Sequence, residues 1–104
     1  GVPIIVLRMG SDGSLAHDAR SGETWRIPPA PANVVDVTGA GNAYCGGLLV
    51  GYSETRDLKL AGAYGAVSAS FAVETVGVPL SGDQVESEAR RRFDVVLRDV
   101  SVWP

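Results

Sequence analysis

Apolar residues are arranged differently in the two halves of the chain, first in short runs and then at helical spacing. Residues 3–8 (PIIVLR) form a nearly continuous apolar run rich in β-branched residues. Such a run predicts a buried strand in a sheet covered on both faces. Met9, Gly10, Ser11, Asp12 and Gly13 are punctuated as a tight turn. Ser14–Asp18 predicts a second strand, Ser21-Gly22 a turn, and the alternating residues 23–27 (ETWRI) a third strand. Pro28, Pro29 and Pro31 make a stiff extended connector that excludes helix. Residues 33–37, with three valines, lead on as a short extended segment.

The spacing then turns helical. From Gly41 to about Tyr52, the residues Tyr44, Leu48 and Tyr52 recur every four positions. Gly46, Gly47 and Gly51 weaken this helix by roughly 1 kcal/mol each relative to alanine, so something should pack unusually close to that face. Asp57 is placed to cap a second helix from Leu58 to about Thr75. Its many small residues allow either tight packing or a shallow slot for a flat ring, and packing is the commoner use. Gly77 and Pro79 stop it. Ser81 or Asp83 caps a third helix to about Arg98, with Val85, Ala89, Phe93 and Val96 as its apolar stripe. Glu86, Glu88 and residues 90–92 form its wet face, and residues 100–104 a tail. The order is strand, hairpin, loop and three helices, an α/β pattern carrying part of a sheet.

Composition narrows the function. With 104 residues and 45% hydrophobic content, the chain is one domain's worth or less and has the material for a core. A net charge of −3, with no basic cluster beyond Arg90, Arg91 and Arg92, argues against nucleic-acid binding. The single cysteine, Cys45, cannot form an internal disulfide and fits a reducing, cytoplasmic setting. No apolar run reaches the ~20 residues needed to span a bilayer. The chain starts without Met in a strand-like run, which suggests part of a longer protein.

The candidate chemistry sits at residues 33–52. Gly39 and Gly41 permit positive φ and close backbone approach to a ligand. A helix starting just after them aims free N–H groups and a positive dipole end at that ligand, and phosphate is the simplest ligand for such a device. No G-x-x-x-x-G-K-[ST] is present, so this is not a P-loop. Tyr44 stands where a dinucleotide fingerprint needs its third glycine, so a plain Rossmann reading fails as well.

Asp36-Val37-Thr38-Gly39-Ala40-Gly41-Asn42-Ala43-Tyr44 resembles the C-terminal signature of the ribokinase (PfkB) family of sugar and nucleoside kinases, D-T-x-G-A-G-D followed by a small residue and an aromatic. Residues 4–13 resemble that family's strand and L-G-x-x-G turn, residues 14–27 its hairpin, and residues 58–79 its Ala-rich helix and following loop. The variant G-A-G-N, with the residues after it, further resembles a divergent fungal maintenance-of-killer-type branch. The likeness covers residues 1–104 as the C-terminal, nucleotide-binding portion of a ribokinase-like domain.

The resemblance implies ATP with Mg²⁺, and an anion hole for the transferred γ-phosphoryl made by backbone N–H groups of Gly39, Ala40 and Gly41. It places Gly10, Ser11 and Gly13 near the nucleotide phosphates. Ala63, Ala66 and Ser70, with Val76, Gly77 and Val78, would line the adenine pocket. Asp36, Thr38 and Gly77 correspond to a monovalent-cation site, such as one for K⁺, found in some members. Without the likeness, Gly10 to Gly13 read as an ordinary hairpin turn.

The departure that matters is Asn42, because the family places there the aspartate that takes the proton from the acceptor hydroxyl. An amide cannot accept and hold that proton, although it can orient the hydroxyl. His17 reads as a surface residue of the hairpin rather than a replacement base. Cys45, on the first helical turn where a thiol pKa can be lowered, reads as a buried small residue. Trp25 and Trp103 read as packing residues.

The expectation is therefore a portion of an ATP-dependent kinase acting on a sugar or nucleoside hydroxyl, inactive in isolation and completed by the rest of its chain. No nucleic-acid or membrane partner is expected. The alternative is a pseudokinase or nucleotide-binding scaffold.

Overall fold

The computed structural model describes residues 4–8, 13–32, 39–74 and 82–102. Three strands come first, β1 (Ile4–Arg8), β2 (Ser14–Asp18) and β3 (Thr24–Ile27). Three helices follow, α1 (Ala40–Thr55), α2 (Leu58–Ala72) and α3 (Gly82–Asp99), and the short strand β4 (Ser101–Val102) ends the described chain. The sheet is antiparallel throughout, in the order β1-β2-β3-β4. The α/β expectation holds, but the tail does not: Trp25 pairs with Val102 and Arg26 with Ser101. Two residues carry too little pattern to announce a strand, and β3 supplies the template for this one.

Register decides which residues face the helices. Val6 lies opposite Ala16, and Ser14 opposite both Arg8 and Ile27. Directly opposed residues share a face. Ala16 and Ile27 are fully buried and Ser14 is 2% exposed, so this face carries the core. Ile5 and Leu7 point the other way and stay 63% and 60% exposed. Among the described residues β1 is thus an edge strand covered on one face, not on both as the apolar run predicts.

α1 and α2 form a close antiparallel hairpin. Arg56 takes a left-handed conformation (φ 57°) and donates its backbone N–H to Tyr52 O, while the Asp57 carboxylate accepts from the Lys59 N–H at 2.9 Å. The expected intimate contact is there. A Cβ at Gly51 would lie 2.7 Å from the Tyr64 ring, and one at Gly47 would lie 2.7 Å from the Tyr64 carbonyl. From the other side, a Cβ at Gly65 would sit 2.9 Å from the Tyr44 carbonyl. Gly46 faces open space and has no such reason.

α3 docks on α2 through an ion pair that the pattern assigns to water. Arg92 is only 7% exposed. Its guanidinium meets Glu74 at 2.6 Å, Glu88 at 2.7 Å and the Ser70 hydroxyl at 3.0 Å, and lies over the Phe71 ring. Phe93 meets the Tyr64 ring edge-on at 5.2 Å. Val96 is fully buried, whereas Val85, expected in the stripe, is 41% exposed. Trp25 packs against the core with Lys59 over its ring, as expected of a packing residue. Residues 33–37 and Trp103 lie outside the described residues.

Candidate functional site

Gly39 is the N-cap of α1, with φ 83°. That left-handed conformation costs a residue with a Cβ energy and costs glycine none. The first intrahelical bond runs from the Ala43 N–H to Gly39 O at 3.0 Å. The preceding N–H groups, of Ala40, Gly41 and Asn42, therefore have no partner within the helix. No side chain caps them and no acidic residue lies in the first turn. A row of backbone donors at the positive end of a 16-residue helix is thus open to an acceptor. Gly39 and Asn42 are exposed, Gly41 half-buried and Ala40 buried.

Gly41 differs from expectation. It is the second residue of α1, and positive φ among the described glycines is confined to Gly13, Gly22 and Gly39. The absent side chain makes room for Arg8 instead: a Cβ on Gly41 would lie 2.7 Å from Arg8 Nη1. The Arg8 guanidinium also lies 5.8 Å from the centroid of the Tyr44 ring. Tyr44 is 4% exposed, and its hydroxyl shares a 2.5 Å hydrogen bond with that of Ser14. Burial pushes the Tyr44 pKa up, so the phenol is neutral and keeps its proton. Because Arg8 and Ser14 are opposed across β1 and β2, register directs both toward the first turn of α1. The bond from Tyr44 to Ser14 also brings Gly13 to the end of the domain that holds Gly39.

The remaining expected site residues fall in three groups. Gly13 has φ 93°, and a Cβ there would collide with the Ile27 carbonyl, so the turn and the close approach of β3 already require glycine. Ala63, Ala66 and Ser70 are 0%, 5% and 4% exposed, and the Ser70 hydroxyl is engaged by Val67 O and Arg92. These three serve packing in this structure. Gly10, Ser11, Asp36, Thr38, Val76, Gly77 and Val78 lie outside the described residues.

Two single residues complete the survey. Cys45 is exposed, against the expectation of burial, because Tyr44 and Leu48 take the inward positions of α1. His17 is half-buried on the hairpin and hydrogen-bonded through Nδ1 to Thr24 Oγ1 at 2.8 Å. Sequence pattern missed the grouping of Arg8, Ser14 and Tyr44. The available signal was a charged residue at the inward phase of β1, in step with Ile4 and Val6.

Among the described residues, no cluster of three His, Cys, Asp or Glu side chains could hold a metal ion. None of their helices is long and apolar enough to cross a membrane.

The family model described as pfkB family carbohydrate kinase matches residues 1–83. The chain is 33% identical over 90 residues to the nucleoside kinase of Methanothermobacter thermautotrophicus, covering 83% of this chain and 28% of that one. It is 36% identical over 93 residues to the 5-dehydro-2-deoxygluconokinase of Clostridium perfringens, covering 89% and 27% respectively. Among solved structures, the Methanocaldococcus jannaschii nucleoside kinase, an archaeal member of the ribokinase family, superposes with a TM-score of 0.69 at 33% identity. That match covers 86% of this chain and 30% of the other. Aminoimidazole riboside kinase from Salmonella enterica, solved with aminoimidazole riboside and an ATP analogue, gives a TM-score of 0.64 at 30% identity, over 82% and 31% of the two chains. The chain spans between a quarter and a third of the length of these relatives.

Proposed function

Since the chain belongs to the pfkB family of carbohydrate kinases, we propose that it is the C-terminal, nucleotide-binding portion of an ATP-dependent kinase for a sugar or nucleoside hydroxyl. The observation that carries this reading is the uncapped first turn of α1 behind a left-handed Gly39. Donors fixed in place stabilise charge on a transferring phosphoryl group without reorganising.

The residues present fit a nucleotide phosphate. The N–H groups of Ala40, Gly41 and Asn42 need an acceptor, and the helix end favours negative charge. The proposed anion hole keeps the expected N–H groups of Gly39, Ala40 and Gly41 and gains that of Asn42, with Gly39 acting also through its conformation. When bound, ATP with Mg²⁺ supplies the phosphoryl group and the metal's charge neutralisation. We retain Gly10, Ser11 and Gly13 beside the phosphates, and Val76, Gly77 and Val78 beside the base with the buried wall of Ala63, Ala66 and Ser70 behind them. Asp36, Thr38 and Gly77 remain the proposed monovalent-cation ligands.

Transfer of the phosphoryl group to the acceptor oxygen, with ADP leaving, requires that oxygen's proton to pass to a base or to solvent. Asn42 is exposed at the third helical position, where the family pattern has aspartate. Its amide can hold the acceptor hydroxyl by hydrogen bonding but cannot take the proton. General-base catalysis contributes roughly 10²–10⁴-fold, which sets the expected deficit. Asn42 is also the observation that favours the second reading, a pseudokinase that keeps the nucleotide site as a scaffold.

In either case the remainder of a ribokinase-like chain would cover the outer faces of β1 and α1. Ile5, Leu7, Leu49 and Val50 are 63%, 60%, 68% and 53% exposed there, an arrangement that supports missing cover. An exposed free Cys45 suits the cytoplasmic setting of this reading.

The test is phosphoryl transfer from ATP to a panel of sugars and nucleosides by the complete protein, for wild type and Asn42→Asp. Turnover by wild type that rises roughly 10²-fold or more with aspartate supports a kinase with a weakened base. No wild-type turnover, with recovery by aspartate, supports the scaffold reading. A wild-type protein that binds no adenine nucleotide overturns both.

A further inference from the structure

Arg92 reaches from the middle of α3 to the end of α2, and each nitrogen of its guanidinium has its own partner. Nε meets the Glu88 carboxylate at 2.7 Å, Nη1 the Ser70 hydroxyl at 3.0 Å and Nη2 the Glu74 carboxylate at 2.6 Å. The flat face lies over Phe71, 4.4 Å from the ring centroid. Ser70 passes its own hydrogen on, donating to Val67 O at 2.6 Å. A planar guanidinium satisfies these partners together, whereas a compact ammonium does not. Removing such a cation from water is costly, and a well-packed apolar side chain would join two helices equally firmly. The network therefore calls for a reason beyond docking α3.

Its position supplies one. Glu74 stands two residues before Val76, Gly77 and Val78, the base-side residues of the reading above. Its backbone N–H is bonded to Phe71 O at 3.2 Å, while its carboxylate is held by Arg92. Arg92 follows the same segment in the chain, on a helix that begins at Gly82. One side chain thus ties the residue before residues 75–81 to the helix after them. Fixing both ends of a segment removes conformational freedom that ligand binding would otherwise have to remove.

We propose that Arg92 is a positioning residue for the adenine side of the site: by holding Glu74 and Ser70 to α3, it pre-organises residues 75–81 to receive the base. This rests on the nucleotide-binding reading above. Arg92 is 7% exposed with its donors engaged, so it acts through these partners and not by touching the nucleotide. Its partners lie on or beside α2 and α3, whereas the donors proposed for the phosphates belong to α1. The effect should therefore fall on the base and spare the phosphates.

The experiment measures binding of ADP and of inorganic tripolyphosphate to the complete protein, for wild type, Glu74→Gln, Arg92→Lys and Arg92→Met. Unfolding midpoints and hydrogen exchange across residues 75–81 are recorded without ligand. Glu74→Gln removes one charge at nearly constant shape from a half-buried position, so it tests the idea even where an Arg92 variant folds poorly. It should weaken ADP about threefold to tenfold, leave tripolyphosphate unchanged and quicken exchange across residues 75–81. Arg92→Met should do the same, and Arg92→Lys should fall between it and wild type, because it keeps the charge without the fork. A lower unfolding midpoint with unchanged ADP affinity, or equal weakening of ADP and tripolyphosphate, overturns the positioning role while leaving the nucleotide site standing. A wild-type protein that binds neither ligand overturns both.

Discussion

Tyr44 shows how one side chain ties the sheet to the helical end of the site. Its ring fills the space that Gly65 leaves open, and its hydroxyl meets Ser14, itself 2% exposed. Tyr44→Phe keeps the ring but leaves the buried Ser14 hydroxyl without its partner. The expected cost is about 1–2 kcal/mol, read as a lower urea midpoint. Adding Ser14→Ala should restore part of it, because removing both partners leaves no unsatisfied group. Asn42 behaves differently because it is exposed. Asp at this third helical position faces the positive helix end and should add about 0.3–1 kcal/mol of stability. Any gain in activity from Asn42→Asp is then separable from an effect on folding by comparing turnover with the unfolding midpoint.

At the scale of elements, the glycines of α1 divide by environment rather than by sequence. Gly46 is exposed and faces open space, so Gly46→Ala should stabilise the protein by about 0.5–1 kcal/mol through helix propensity alone. Gly51 lies against Tyr64 and the Ala61 backbone, and a Cβ there would be 2.9 Å from Ala61 Cα. Gly51→Ala should destabilise by roughly 1–3 kcal/mol despite the same propensity gain, since backbone cannot move aside as a flexible side chain can. Thermal unfolding of the two variants should therefore shift in opposite directions. The helix spacing makes a close approach legible in the sequence, and also Tyr44, Leu48 and the Asp57 cap. It does not say which glycine meets the neighbour. That depends on how α2 is rotated about its own axis, which the packing of Ile27 against Gly62 helps to set.

At the scale of the whole molecule, α3 is held by Arg92 as well as by its apolar stripe. Arg91 and Arg92 hydrogen-bond to Glu88 and hold its carboxyl down to about 2. A depressed carboxylate pKa contributes stability that is present above its ordinary value near 4.5 and is lost as pH falls toward the folded value. The urea midpoint should therefore decline between about pH 4.5 and pH 2, and Glu88→Gln should flatten that decline while lowering the midpoint at neutral pH. The helical stripe pattern assigns Arg92 to solvent because it counts charges as wet. The carboxylate that helps bury it, Glu74, lies just past the end of α2, so the pairing exists only once the two helices meet.

Local sequence determined the first three strands, the three helices, the glycine-marked helix start and the family. These follow from hydrophobic period, caps and backbone freedom, which act over a few residues. Tertiary structure decided which face each element buries, because that depends on partners distant in the chain. It made a strand of Ser101–Val102 by offering β3, left Ile5 and Leu7 uncovered by any of the described residues, and exposed Cys45 by turning Tyr44 inward. It also brought Arg8 from the end of β1 to the first turn of α1, across more than thirty residues of sequence. The backbone donors of the candidate site are written in its glycines; the cation beside them is placed by register.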